Sequence, residues 1–70
     1  MTYYLIRARN EDGTQYWNKR HQSWEYRTKE ATRYRSHVAA NKISATLTIN
    51  SEVGNIPSKV IGPFESKKKK

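Results

Sequence analysis

The sequence predicts an α+β fold: a three-stranded antiparallel sheet packed by one helix, at about residues 37–49, with a short C-terminal strand at about 58–64. Three observations carry this reading. Apolar and polar side chains alternate through most of the first thirty residues, short turn-forming stretches interrupt them, and after Ser36 the alternation gives way to a helical spacing.

In residues 2–9, Tyr4, Ile6 and Ala8 alternate with Leu5, Arg7 and Arg9, the two-residue period of a half-buried strand. Asn10-Glu11-Asp12-Gly13 is a turn, because Asp-Gly supplies the positive φ that a hairpin needs. Residues 14–18 return as a second strand, and the polar stretch 19–22 forms the next hairpin loop. A third strand covers 23–29, with Trp24 and Tyr26 alternating with Glu25 and Arg27. Thr28 to Arg35 reads either as the end of a bent strand or as one irregular turn.

Ser36 is an N-cap, its hydroxyl placed to accept from a backbone N–H of the following turn. Beyond it Ala39, Ile43, Thr46 and Leu47 line one helix face, widened by Val38 and Ala40, and Asn50 or Gly54 ends the helix. Val60, Ile61 and Phe64 supply the last strand, and Gly62-Pro63 marks it as an edge or a bulge. The helix hides its stripe on one sheet face, so the expected core is Tyr4, Ile6, Trp24, Tyr26, Val38, Ala39, Ile43, Leu47 and Val60. One domain occupies 1–65. A basic tail over 66–70 is expected to be disordered, since adjacent lysines repel and bury nothing.

Composition narrows the function. Fourteen Lys and Arg face six Asp and Glu across 70 residues, a formal charge of +8. The first thirty-five residues hold eight of these bases and seven of the eight aromatic side chains. Cysteine is absent, and the longest apolar run is the four residues Tyr3 to Ile6. Disulfide scaffolds and membrane spans are therefore excluded, and a reducing compartment, the cytoplasm, is the expected location. No glycine-rich phosphate loop or activated nucleophile pattern is present, so no enzyme and no cofactor are expected. His21 and His37 have no third ligand at metal-binding spacing.

What remains is a small basic binding module. If Tyr4, Ile6 and Ala8 face the helix, Arg7 and Arg9 face away. Trp24 and Tyr26 pointing inward turns Glu25, Arg27 and Lys29 outward, with Lys19 and Arg20 in the adjacent loop and Arg33 beyond. A two- or three-stranded ribbon suits the DNA major groove, about 12 Å wide, where arginine meets phosphate or guanine and lysine neutralises phosphate. Tyr16, Trp17, Trp24 and Tyr26 form a candidate stacking platform for unpaired bases, with Trp17, opposite in parity to Tyr16, the ring to watch. The predicted nucleic-acid contacts are thus Arg7, Arg9, Trp17, Lys19, Arg20, Arg27, Lys29 and Arg33, with DNA favoured over RNA. The competing reading is a solvated basic face that keeps the protein soluble.

The order Tyr3-Tyr4-Leu5-Ile6-Arg7, Gly13, Tyr16-Trp17-Asn18, Trp24, Ala31-Thr32-Arg33-Tyr34, Ser36, Ala39, Ala40, Ile43 and Val60-Ile61-x-Pro63 spans residues 3–65. It resembles very short proteins of bacteriophage and prophage genomes, mostly without assigned function. That resemblance implies a phage accessory protein acting in the host cytoplasm. In architecture the prediction is also similar to AP2-type DNA-binding domains and to the amino-terminal arm-binding domains of phage-type integrases, which lay an open sheet face in the major groove. The chain departs from AP2 domains in lacking their glycine-rich, arginine-dense first strands, so no base-reading role transfers. A second class of function stays open: an effector that docks on a host protein through exposed aromatics and arginines, the residues enriched in interface hot spots. Monomer and homodimer both fit so small a core.

Overall fold

The computed structural model describes residues 1–66. The fold is α+β with one helix and antiparallel strands, and its organising element is the first strand. β1 (Thr2–Asn10) has neighbours on both edges: β2 (Gly13–Asn18) on one and β6 (Lys59–Glu65) on the other. β3 (Ser23–Glu25) extends the sheet beyond β2, giving the order β3-β2-β1-β6. The helix α1 (His37–Ser44) covers one face of this sheet. A separate hairpin, β4 (Thr48–Ser51) and β5 (Gly54–Pro57), stands beside it.

The main sheet thus has four strands where three were expected, and the C-terminal strand is part of it. The reason is legible in β1 itself. Both Leu5 and Ile6 are buried, at 3% and 0% exposure, so neighbouring residues pointing to opposite faces both lose solvent. Leu5 points away from α1, so its loss of solvent comes from side chains beside it on the sheet, which calls for a partner strand on each edge of β1. Val60 supplies that partner opposite Ile6, and Ile61 opposite Leu5.

The two predicted hairpins form. Gly13 takes φ +121°, and Asn10 Oδ1 accepts from the Asp12 N–H at 3.0 Å. In the 19–22 loop Gln22 takes φ 50°, and Asn18 Oδ1 accepts from the His21 N–H. The third strand stops at Glu25, however, and Thr28–Glu30 form a single 3₁₀ turn. Tyr26, expected in the core, is therefore 60% exposed. Past the register Arg7↔Tyr16 the segment that follows this turn lies between β1 and β2. The Thr32 N–H donates to Trp17 O, while Tyr4 and Tyr34 exchange N–H···O bonds of 2.7 and 2.9 Å. This wedge carries Tyr34 into the core beside Ile6 and Ala40, and Ala31 is buried as well. Burial leaves the Tyr34 hydroxyl without a hydrogen-bond partner and pushes its pKa up.

Ser36 caps α1 as expected, its Oγ accepting from the Ala39 N–H. The helix is shorter than predicted, ending at Ser44. Thr46, Thr48 and Ile49 are β-branched and weak helix formers, and Thr46 Oγ1 donates to Ile43 O at 2.8 Å, ending the backbone ladder there. Gly54, at φ +120°, then lets the chain reverse so that Ile49 pairs with Ile56. Ile49 is buried, whereas Val38 and Ala39, expected in the core, lie on the solvent side of the short helix. Tyr4, Trp24, Ile43, Leu47 and Val60 do pack around Ile6, and so does Trp17. Ser44 and Ser58 join the end of α1 to the β5–β6 junction through a 2.7 Å hydroxyl contact.

β6 meets β1 through a register shift between Tyr3 and Leu5, where two residues, Gly62 and Pro63, stand opposite Tyr4. Gly62 is at φ +133°, and a Cβ there would come within 3.0 Å of Tyr4 Cδ1 and 3.1 Å of Tyr3 O. Gly62→Ala is expected to lower the urea-unfolding free energy by about 1–3 kcal/mol. Gly54→Ala meets no atom within 4 Å and should lose less. Equal losses would show that backbone conformation alone, and not the approach to Tyr3 and Tyr4, sets the cost.

The ends of β1 and β6 are tied by Ser66 N–H to Met1 O at 2.8 Å and by the Met1 ammonium to Glu65 at 3.3 Å. The expected tail lies, from Lys67 on, outside the described residues. No helix among the described residues is long and apolar enough to cross a membrane.

Candidate functional site

Strand alternation decides which side chains face away from α1. Tyr4 and Ile6 join the helix-side core, so Tyr3, Leu5, Arg7 and Arg9 belong to the opposite face. Cross-strand pairing carries the same face over the whole sheet. Arg7 stands opposite Lys59 on one side and Tyr16 on the other, and Tyr16 stands opposite Glu25. The open face therefore holds the row Lys59, Arg7, Tyr16, Glu25, with Arg9 beside Thr14 one step along.

At the other end of β1, Tyr3 pairs with Phe64, and their rings stack 5.5 Å apart at 28°. Arg33, brought in by the wedge on the opposite edge of β1, places its guanidinium 4.5 Å from the Tyr3 ring centroid. A cation over an aromatic face is held by the ring quadrupole.

Two clefts flank these groups. Arg7, Arg9 and Lys59 line one of about 240 Å³, walled by Ala8, Ile56 and Pro57. The other, about 250 Å³, lies against Tyr3, Arg33 and Arg35, with Met1, Thr2 and Ser66. No carboxylate among the described residues lines either cleft. The one ion pair among the described residues is that of Met1 with Glu65, so no described lysine or arginine side chain is neutralised by a carboxylate. The acid on the open face, Glu25, accepts from the Ser23 hydroxyl at 2.6 Å and sits on the far edge of the sheet. Three positive groups around one concavity raise the local potential and favour an anion there.

The hairpin wall of the first cleft is clasped in place. Asn10 Nδ2 donates to Asn50 O at 2.7 Å, and Glu11 Oε2 accepts from the Glu52 N–H. That backbone bond, helped by Glu11's own N–H and by Ser51, holds the Glu11 carboxyl below its ordinary pKa, and slight burial opposes the shift. A carboxyl whose folded pKa is depressed stabilises the fold above its unfolded value and loses that contribution as pH falls through the folded value. Acidification is therefore expected to release the clasp before the sheet unfolds. The Glu52 amide should exchange faster at acid pH while that of Tyr4 stays protected, and Glu11→Gln should remove the difference. Equal acid sensitivity of both amides would rule the clasp out.

The predicted site residues divide between three places. Arg7, Arg9 and Arg33 gather on the open face. Lys19 and Arg20 are exposed in the β2–β3 turn. Arg27 and Lys29 lie in and before the 3₁₀ turn, past the end of β3, so strand alternation does not align them with Arg7. Trp17 lies apart from these groups: it pairs with Trp24, the rings 5.2 Å apart and edge to face, on the helix side of the sheet, where both indoles are partly buried against the core cluster. Of the four rings proposed for stacking, Tyr16 is on the open face, and Tyr26, past the end of β3, is exposed. Lys59, Tyr3 and Phe64 were not foreseen at this site. The signal that points to Lys59 is its position next to Val60: a valine packed on the helix side turns the lysine to the other face.

Comparison of the chain with protein-family models, with curated proteins and with solved structures gave no match.

Proposed function

We propose that the protein binds nucleic acid through the open face of its four-stranded sheet, with phosphates held by Arg7, Arg9 and Lys59. The observation that carries this reading is the convergence of these three cations, from two adjacent strands, on one cleft lined by no carboxylate among the described residues. A sheet face kept basic only for solubility has no need to concentrate like charges around a concavity. Phosphodiester oxygens offer the acceptors that guanidinium forks and an ammonium match.

The test is a salt titration of binding to labelled oligonucleotides. Log affinity is expected to fall linearly with log salt, by about 0.9 per phosphate neutralised on duplex DNA and about 0.7 on a single strand. Absence of binding to either form at low salt overturns the proposal.

A further inference from the structure

Resting on that proposal, we infer that the nucleic acid is single-stranded: unpaired bases stack on the outer planes of the Phe64–Tyr3–Arg33 row, those of Phe64 and Arg33, and on Tyr16, while Arg7, Arg9 and Lys59 hold the intervening phosphates.

Width is the first argument. A four-stranded sheet spans about 14 Å between its outer backbones at roughly 4.8 Å per strand, before any side chain is counted. The major groove, about 12 Å wide, admits a two-stranded ribbon. With Lys59, Tyr16 and Glu25 in line with it, Arg7 sits within the full width of the sheet and not on a narrow ridge, while Arg9 stands one step along on the β1–β2 hairpin.

The second argument is what the face displays. Three rings, Tyr3, Phe64 and Tyr16, share it with the cations, and Phe64 keeps 37% of its surface exposed. Duplex DNA hides its base faces inside the stack, so exposed rings gain nothing from it. Unpaired bases offer flat faces to Phe64, to Tyr16 and to the Arg33 plane, since both aromatic and guanidinium planes accept them. The spacing suits the alternation of a single strand. From Tyr3 to Arg7 is about 13 Å along β1 at roughly 3.3 Å per residue. The stacked row and the Arg33–Arg35 cleft lie at one end of that interval, and the Arg7–Arg9–Lys59 cleft at the other. A strand laid along β1 meets cation, ring and cation in turn, with its charge opposed by groups that no carboxylate among the described residues neutralises.

The experiment is a fluorescence-anisotropy titration of the full chain with oligothymidylate, with oligouridylate and with a mixed-sequence duplex of equal length. At least one single strand should bind about tenfold or more tightly than the duplex. Phe64→Leu, which keeps apolar bulk at a partly exposed position but removes the ring, should cost about tenfold in single-strand affinity, leave duplex affinity unchanged and keep the protein folded, with a thermal midpoint lowered by several degrees through loss of the Tyr3 pair. Duplex binding equal to or tighter than both single strands overturns the inference and leaves the proposed function standing. So does full single-strand affinity in Phe64→Leu. Failure of all three oligonucleotides to bind at low salt overturns both.

Discussion

Replacing Arg7, Arg9 and Lys59 together with glutamine is expected to lower nucleic-acid affinity at low salt by about a hundredfold or more, and to reduce the salt slope by about two units. The fold should persist, because Arg9 and Lys59 are exposed, Arg7 is half-buried, and none has an ion-pair partner to strand. A matched control removes the same charge elsewhere: Lys19, Arg27 and Lys29 to glutamine. These three were equally prominent in the sequence, yet they lie in the β2–β3 turn and around the 3₁₀ turn. If the cleft holds the phosphates, the control should lose only a few-fold through weaker long-range attraction. Equal losses in the two triple variants would mean that net charge alone drives association, and the cleft would have no special role.

The second large effect concerns the core. Ile6→Ala is expected to abolish cooperative unfolding at room temperature. Ile6 is fully buried among Tyr34 and Ala40, with Tyr4, Trp17, Trp24 and Val60 packed against the cluster. Truncating such a side chain costs about 2–5 kcal/mol. A core this small supplies roughly 3–5 kcal/mol in all, so the loss consumes the margin. Ile6→Val, at about 0.5–1.5 kcal/mol, should stay folded with a lowered midpoint. Near-ultraviolet circular dichroism across a thermal scan reads both. An Ile6→Ala protein with an unchanged midpoint would show that stability resides elsewhere.

Local chemistry was legible from the sequence, and long-range pairing was not. The Asp12-Gly13 turn, the Ser36 cap and the face of Arg7 follow from neighbours a few residues apart, where backbone geometry leaves few options. The face of Trp17 was not legible because alternation gives two faces without saying which one the helix covers. That choice was made by the register Trp17↔Trp24 and by the wedge that puts Tyr34 beneath them. The helix was read too long because Leu47 continues the spacing of Ala39 and Ile43. The β-branched Thr46, Thr48 and Ile49, and Gly54 beyond them, opposed it, and local propensity won. Lys59 and Phe64 joined the open face through β1–β6 pairing, which no turn connects and which no short-range pattern announces.

That pairing also orders events during synthesis. Ile6 emerges from the ribosome well before its cross-strand partner Val60, with most of the described chain made between them. The two hairpins and the helix can form as they appear, yet none of them can complete the sheet alone. The nascent chain must carry Leu5 and Ile6 with an unpaired backbone edge until β6 arrives, a state prone to aggregation. Like charge at Arg7 and Arg9 disfavours close approach of neighbouring nascent chains through this interval, whatever those side chains bind once the sheet is complete.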